Sequence, residues 1–201
     1  MNPIIIDDFI PPHYQESLWW LLHGDEFTWK FYNHSVSDSS LYQYYHTDKP
    51  TKEHIQFRHV FVQDNVVVSE FNQYIDCLRI GFEHITGLKI NYTNRIKANL
   101  LLKDPIGPNL QQPHIDGMVE KDGVYNGVGK KTLLYYVDDS DGDTVLYNEY
   151  FTKESVGLVT VQQTVKPKKG RAIIFDSNQI HSGTNPKIND TRMVINCVFD
   201  A

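Results

Sequence analysis

His114-Ile115-Asp116, a second histidine at position 181 and an arginine at 192 are the residues of this chain best suited to chemistry. Alternate residues of an extended segment point the same way, so His114 and Asp116 can reach one metal ion. Pro113 disfavours helix for the residue before it, and Gly117 permits a sharp turn just after, which puts the pair at a strand end. Two imidazoles and one carboxylate on one face of a metal leave several coordination positions open for a cosubstrate and O₂. The chemistry to which this set points is iron-dependent oxidation. Taken alone, the His-x-Asp spacing also fits two exposed polar residues on a loop.

His181 makes the set specific. It follows Gly170-Arg171-Ala172-Ile173-Ile174-Phe175-Asp176, a turn feeding a short apolar strand, and precedes Ser182-Gly183-Thr184. That strand would deliver His181 to the rim of the same cavity. Arg192 opens the run Arg192-Met193-Val194-Ile195-Asn196-Cys197-Val198-Phe199. With a period of two, Arg192, Val194, Asn196 and Val198 share one face, and Met193, Ile195, Cys197 and Phe199 the other. An arginine buried there needs an anion, because an unpaired charge away from water is costly. A dicarboxylate cosubstrate could meet it through a bidentate contact; an exposed strand-start arginine or an internal ion pair is the plainer reading.

The elements that must position these side chains follow from patterning. Ile4-Ile5-Ile6 reads as a short opening strand that ends before Pro11-Pro12. From His13 to about His23, Leu18, Trp19, Leu21 and Leu22 recur at helical spacing, and Phe27 to Tyr32 is extended. Residues 34–54 are rich in Ser, Asp, Thr and Lys around Tyr42, Tyr44 and Tyr45, long enough for a lid or binding loop. Those tyrosines and Trp29 could line a substrate cleft or simply pack. A second helix runs from about Val67 through Ile85, with Phe71, Tyr74, Ile75, Leu78 and Phe82 on one stripe and Gly87 as its stop. Strand-like runs then follow at 95–102, 132–137, 144–147, 158–165, 172–175 and 193–199. Helices first and many short strands after them predict a mainly β (α+β) fold, a sandwich or distorted barrel buttressed by N-terminal helices.

Bulk properties narrow the field. The 201 residues fit one domain (1–201), with 1–92 as strand and helix support carrying the substrate loop and 93–201 as the core. Two cysteines, Cys77 and Cys197, without a Cys-x-x-Cys, disfavour a disulfide framework or a zinc-thiolate site and suit a reducing compartment. No apolar run approaches membrane-spanning length, and Met1–Asp8 lacks the basic start of a signal peptide, so a cytoplasmic location is expected. A net charge of −6 shows no basic footprint for nucleic acid. Lys166, Lys168 and Lys169 read as a solvated turn, and the histidines at 13, 23, 34, 46, 54, 59 and 84 as solvated too.

His114-x-Asp116, His181 and Arg192, with the Gly170–Phe175 strand before the distal histidine, resemble the Fe(II)- and 2-oxoglutarate-dependent dioxygenase superfamily. The similarity spans roughly Arg95 to Phe199 and is nearest to the prolyl 4-hydroxylase type, including small bacterial and phage members. The resemblance implies a double-stranded β-helix (jelly-roll) core. It implies that His114, Asp116 and His181 bind Fe(II) and that Arg192 holds the distal carboxylate of 2-oxoglutarate, with O₂ as the second cosubstrate and ascorbate as a supporting reductant. Thr132-Leu133-Leu134-Tyr135-Tyr136-Val137 resembles the family strand whose second tyrosine reaches that carboxylate. By alternation Thr132, Leu134 and Tyr136 face the pocket, and Tyr136 is the matching residue. Asp141-Gly142-Asp143-Thr144 looks like a variant of the family's Gly-Gly-x-Thr turn. The chain departs from the family where Val194 replaces the serine of Arg-x-Ser and where Asp141 replaces a glycine. Asn99 and Asn196 interrupt apolar strands and could contact the proximal carboxylate or the O₂ region, or be satisfied core amides.

The expected activity is hydroxylation of a substrate C–H bond coupled to decarboxylation of 2-oxoglutarate to succinate. By family analogy the substrate is a peptide side chain, proline first, and a free amino acid or small metabolite second. A jelly-roll metal-binding protein without oxidative chemistry is the alternative from another class; it would not need an anion clamp beside the metal. Oligomeric state is not legible.

Overall fold

A computed structural model describes residues 2–33, 55–106, 110–116, 120–121, 124–125, 129–151 and 159–201. The segment 34–54, with its three tyrosines, and Gly117 lie outside the described residues.

The opening isoleucines form β1 (Ile4–Ile6), and Pro12 begins the first helix, α1 (Pro12–His23). Proline suits that position, because its missing N–H would have no helical partner and its φ is already helical. After β2 (Lys30–Tyr32), β3 (Gln56–Gln63) and the short β4 (Val66–Val67), a 3₁₀ turn (Glu70–Ile75) leads into α2 (Asp76–Thr86). The sequence pattern extends that helix back to Val67. The β-branched run Val66–Val68 instead stays extended, and the Ser69 hydroxyl accepts from the Phe71 N–H and starts the turn there. At the other end Gly87 adopts φ 68° and donates its N–H to Glu83, as a left-handed helix cap requires.

The remaining chain is strands: β5 (Tyr92–Leu102), β6 (Glu120–Lys121), β7 (Val124–Tyr125), β8 (Lys130–Tyr136), β9 (Thr144–Tyr150), β10 (Val161–Val165), β11 (Ala172–Asp176), β12 (Gln179–Gly183) and β13 (Thr191–Asp200). One sheet runs β1-β11-β8-β13-β5-β3-β2 with β4 attached to β3, and a second runs β10-β9-β12. All their pairings are antiparallel, with β13 between β5 and β8. The fold is mainly β, a jelly roll buttressed by the N-terminal helices.

Period-two alternation divides the large sheet into two faces. Leu133, Tyr135, Ile195, Cys197 and Phe199 point outward and are buried beneath Leu18 and Leu22 of α1 and Leu78 and Phe82 of α2. Leu134, Tyr136, Ile173, Phe175 and Val194 point inward, where they meet Leu146 of the small sheet. Burial of the outward face under helices leaves the inward face free to carry polar residues at the mouth between the sheets. Both cysteines are free, Cys197 buried in the outer core and Cys77 half-buried.

Five strands, β3, β4, β6, β7 and β12, have no counterpart in the sequence reading, and two of them bear on the site. β3 is absent from it, and so is β12, which carries His181 within a strand and not at the rim after one. Two histidines expected to be solvated are engaged. His59 bonds the Thr28 carbonyl (2.8 Å) and the Ser69 hydroxyl (2.7 Å) with its ring against Phe27. His23 stacks on Trp19 and faces Asp138 at 3.3 Å. The fold brings Phe27 and Ser69 to His59 and Asp138 to His23, whereas Trp19 lies one turn before His23 on α1. The lysine turn is likewise paired, Lys168 with Asp7 (2.8 Å) and Lys169 with Glu16 (2.7 Å).

Candidate active site

His114 and His181 are held by backbone. They face each other across an isolated antiparallel bridge, with His114 N–H to His181 carbonyl at 2.8 Å and the reverse bond at 2.9 Å. His114 thereby extends the small sheet by one position beside β12, and the imidazole centroids lie 4.4 Å apart. Two residues on, the Asp116 N–H donates to Ser177, which anchors the end of the same segment. Ligand atoms of His114, Asp116 and His181 all fall within 4.8 Å of one another.

The hydrogen bonds fix each imidazole's tautomer. His114 Nδ1 lies 3.0 Å from the Gln112 carbonyl, and His181 Nδ1 lies 3.0 Å from the Gln179 carbonyl. A carbonyl oxygen only accepts, so both Nδ1 atoms carry hydrogen and a neutral ring keeps its lone pair on Nε2. His181 Nε2 sits 3.5 Å from Asp116 Oδ2, an acceptor facing an acceptor across a buried gap. A cation shared by the three side chains resolves that opposition. Burial, with His181 beside it, pushes the His114 imidazole down to about 3, so it stays neutral and available as a ligand at physiological pH.

Asp116 is positioned from several sides. Its Oδ2 accepts from Asn196 Nδ2 (2.8 Å) and Thr132 Oγ1 (3.2 Å), and its Oδ1 faces Arg95 Nη2 at 3.3 Å. Burial alone would favour the neutral acid. The Arg95 guanidinium beside it acts against that cost, and the carboxyl is held well below its usual range, in the anionic form a metal needs. Thr132, expected at the cosubstrate, is thus placed on the carboxylate and on Ser177 (2.9 Å).

Further along β13, Arg192 is only 5% exposed. Its Nε donates to the Gly142 carbonyl (2.6 Å) and its Nη2 to Thr144 Oγ1 (2.7 Å), the hydroxyl to which Tyr136 also donates (2.7 Å). No carboxylate pairs with Arg192 among the described residues. An arginine keeps its charge even when burial lowers its pKa, as it does here, so a buried guanidinium without a counter-ion is a ready anion site. The 141–144 turn suits this use. A side chain on Gly142 would meet Arg192 Cδ at 2.7 Å and the Thr184 carbonyl at 2.8 Å. The Asp141 carboxylate accepts from the backbone N–H groups of Lys187, Ile188 and Asn189 and ties the turn to the loop before β13.

His114, Asp116, His181, Asn99, Arg192, Val194 and Asn196 line one cavity between the sheets. The Oδ1 atoms of Asn99 and Asn196 are buried with no partner, so neither amide is fully satisfied within the protein. These features fit a metal with three protein ligands and an anionic cosubstrate anchored at Arg192. Arg95, Lys97 and Gln111 also belong to the site and were not legible as such. Charged or amide residues in a strand look like solvent-facing ones until their neighbours are known.

Residues 107–200 match the 2OG-Fe(II) oxygenase superfamily. Among solved structures, the chain is similar to an oxidoreductase of the 2OG-Fe(II) oxygenase family from Burkholderia pseudomallei (TM-score 0.64, 12% identity, covering 100% of this chain and 86% of that one). It is similar to the non-haem α-ketoglutarate-dependent epimerase SnoN of nogalamycin biosynthesis (TM-score 0.63, 10% identity, 100% and 79%). A third is a Trichoplax adhaerens prolyl hydroxylase in complex with a hypoxia-inducible factor peptide fragment (TM-score 0.58, 15% identity, 99% and 84%). At these identities the likeness is one of fold. No curated protein matches the sequence.

Proposed function

We propose that this chain, a dioxygenase of the 2OG-Fe(II) oxygenase superfamily by its residues 107–200, hydroxylates a peptide side chain, with prolyl residues as the first candidates. In this reading His114, Asp116 and His181 hold Fe(II), and Arg192, Thr144 and Tyr136 receive the distal carboxylate of 2-oxoglutarate. The observation that carries it is a buried guanidinium with no carboxylate partner among the described residues, in one cavity with the three clustered ligand side chains. Bound iron supplies the O₂ chemistry that couples decarboxylation of 2-oxoglutarate to oxidation of a C–H bond.

The protein's own contribution is placement. The paired backbone bonds of His114 and His181 keep the imidazoles aligned, and the two carbonyls at Nδ1 leave each Nε2 as the ligand atom. Asn196, Thr132 and Arg95 keep Asp116 ionised and stop its carboxylate from rotating away. Arg192 and the Thr144 hydroxyl set the register of the dicarboxylate. The apolar inward face, with Leu134 and Val194, limits water around the reacting atoms.

The peptide reading draws on the fold shared with the prolyl hydroxylase bound to a peptide fragment. The small-molecule alternative, a free amino acid or metabolite, draws on the fold shared with SnoN. The test of the site is 2-oxoglutarate binding to protein loaded with Mn²⁺, a redox-quiet stand-in for Fe(II). Arg192→Ala is expected to weaken that binding by at least about 30-fold while the Mn²⁺ affinity changes little. Equal 2-oxoglutarate affinity in wild type and variant would remove Arg192 from the cosubstrate site and favour a metal-binding role without oxidation.

A further inference from the structure

Two cationic side chains, Arg192 and Lys97, line the cavity of the proposed iron ligands among the described residues, and the oxygenase reading uses Arg192 alone. Along β5, Arg95, Lys97, Asn99 and Leu101 point to the inward face, while Ile96 and Ala98 point into the outer core. Lys97 is 9% exposed, lines the cavity and makes no hydrogen bond or ion pair with any described residue. On β3, Arg58 stands opposite Asn99, with its guanidinium 3.6 Å over the Tyr32 ring and its Nε buried without an acceptor. Among the described residues that line the cavity, Asp116 is the sole acidic one, and Asn196, Thr132 and Arg95 already engage it. An unpaired ammonium buried beside two guanidinium groups is costly, and burial and Arg95 push its pKa well below the usual lysine range. An anion arriving there recovers that cost.

Arg192 does not share this anion. It stands opposite Leu101 in the β13–β5 register, whereas Lys97 stands opposite Asn196. Four strand positions separate the two, roughly 13 Å along the sheet at the usual rise per residue. Lys97 lies at the end where Asn196 grips Asp116, and Arg192 at the end where Thr144 and Tyr136 converge.

We propose that Lys97, flanked by Arg58, binds a carboxylate of the primary substrate, so that the enzyme acts on a molecule bearing a carboxylate close to the oxidised C–H bond. This rests on the oxygenase reading and narrows its substrate class. The carboxylate is either the α-carboxylate of a free amino acid or an acidic side chain next to the target residue of a peptide.

Two matched pairs of probes separate these sources: L-proline against L-prolinamide, and acetyl-Asp-Pro-amide against acetyl-Asn-Pro-amide. Dissociation constants are measured by calorimetry on the full chain, with Mn²⁺ alone and with Mn²⁺ plus 2-oxoglutarate. Wild type is expected to prefer the carboxylate member of one pair by at least tenfold, and the pair that shows it identifies the source. Lys97→Met is expected to abolish the preference, and Lys97→Arg to retain it; thermal midpoints report that both variants fold. The proposal is overturned if neither pair shows a preference in wild type, or if the preference survives in Lys97→Met. A tenfold loss of 2-oxoglutarate affinity in Lys97→Met also overturns it, because Lys97 would then belong to the cosubstrate. Failure of wild type to take up 2-oxoglutarate contradicts the Arg192 reading instead, and the Mn²⁺-only arm still decides the carboxylate preference.

Discussion

Asp116 makes a heavy electrostatic demand on its surroundings, because a buried carboxylate stays ionised only while donors and cations surround it. Asn196 makes the shortest of its hydrogen bonds, at 2.8 Å. Asn196→Ala is therefore expected to lower metal affinity about 10- to 100-fold without unfolding the protein, as loss of a partner behind a ligand commonly does. Titration with Mn²⁺ checks this, and unchanged affinity would mean that Thr132 and Arg95 suffice. The residues around this carboxylate were unequally legible in the sequence. His114 and Asp116 stand two apart, and that spacing puts two side chains on one face of any extended segment. Arg192 and Asn196 share a face by the same periodicity. Lys97 and Arg95 obey it too, but a lysine or arginine in a strand ordinarily faces water. The burial of Lys97 and the partial burial of Arg95 come from β3 beside β5 and from the 111–116 segment that shares the cavity, partners that no local pattern announces.

The turn at 141–144 shows how an element can hold a charged group in place. Gly142 lets its backbone approach Arg192 so closely that its carbonyl accepts from Nε at 2.6 Å. An added methyl at Gly142 would meet the Thr184 backbone, which cannot swing aside. Gly142→Ala is expected to cost about 1–3 kcal/mol of stability, as overpacking typically does, and to weaken 2-oxoglutarate binding as well. Thermal unfolding and a binding titration on the same sample check both; a fully stable variant with normal binding would show that the turn can shift. Strand β12 illustrates why some elements escape sequence reading. Gln179-Ile180-His181-Ser182-Gly183 has one aliphatic residue, yet all five are buried. Most of its polar groups find partners inside: Gln179 Nε2 donates to the Tyr147 carbonyl and to Gln162, and the Ser182 and Tyr147 hydroxyls bond each other, while Gln179 Oε1 is buried without a partner among the described residues. Apolar alternation identified β8, β11 and β13 because each presents hydrophobic side chains to both layers. α2 starts later than its helical stripe for a local reason, a valine run and a serine cap that outweigh the stripe.

At the scale of the whole molecule, the helices and the chemistry occupy opposite faces of one sheet. α1 and α2 cover the outward face, and the ligand residues open on the inward one. The N-terminal strand is fastened to this frame by charge as well as by pairing. Asp7 accepts from Arg171 Nε (2.6 Å) and Nη2 (3.2 Å) and from Lys168 (2.8 Å), and these partners hold its carboxyl far below the usual range. A depressed carboxyl pKa stabilises the fold above the unfolded-state value, and the benefit fades as pH falls. Asp7→Asn is expected to lower the thermal midpoint modestly at neutral pH, since the pair is exposed, with the gap to wild type closing below about pH 4. A gap that is constant from neutral to acid pH would contradict that assignment. None of the helices is long and apolar enough to cross a membrane among the described residues.

In the proposed oxygenase, His114, Asp116 and His181 hold iron beside a dicarboxylate at Arg192. The most direct test of that arrangement is Fe(II)-dependent conversion of 2-oxoglutarate to succinate, followed by succinate release with wild type, Asp116→Asn and Arg192→Ala. Wild type is predicted to form succinate only when Fe(II) and O₂ are supplied, and both variants to lose nearly all of that turnover. Wild-type protein that binds Fe(II) yet neither binds nor consumes 2-oxoglutarate, or an Asp116→Asn variant with undiminished turnover, would contradict it.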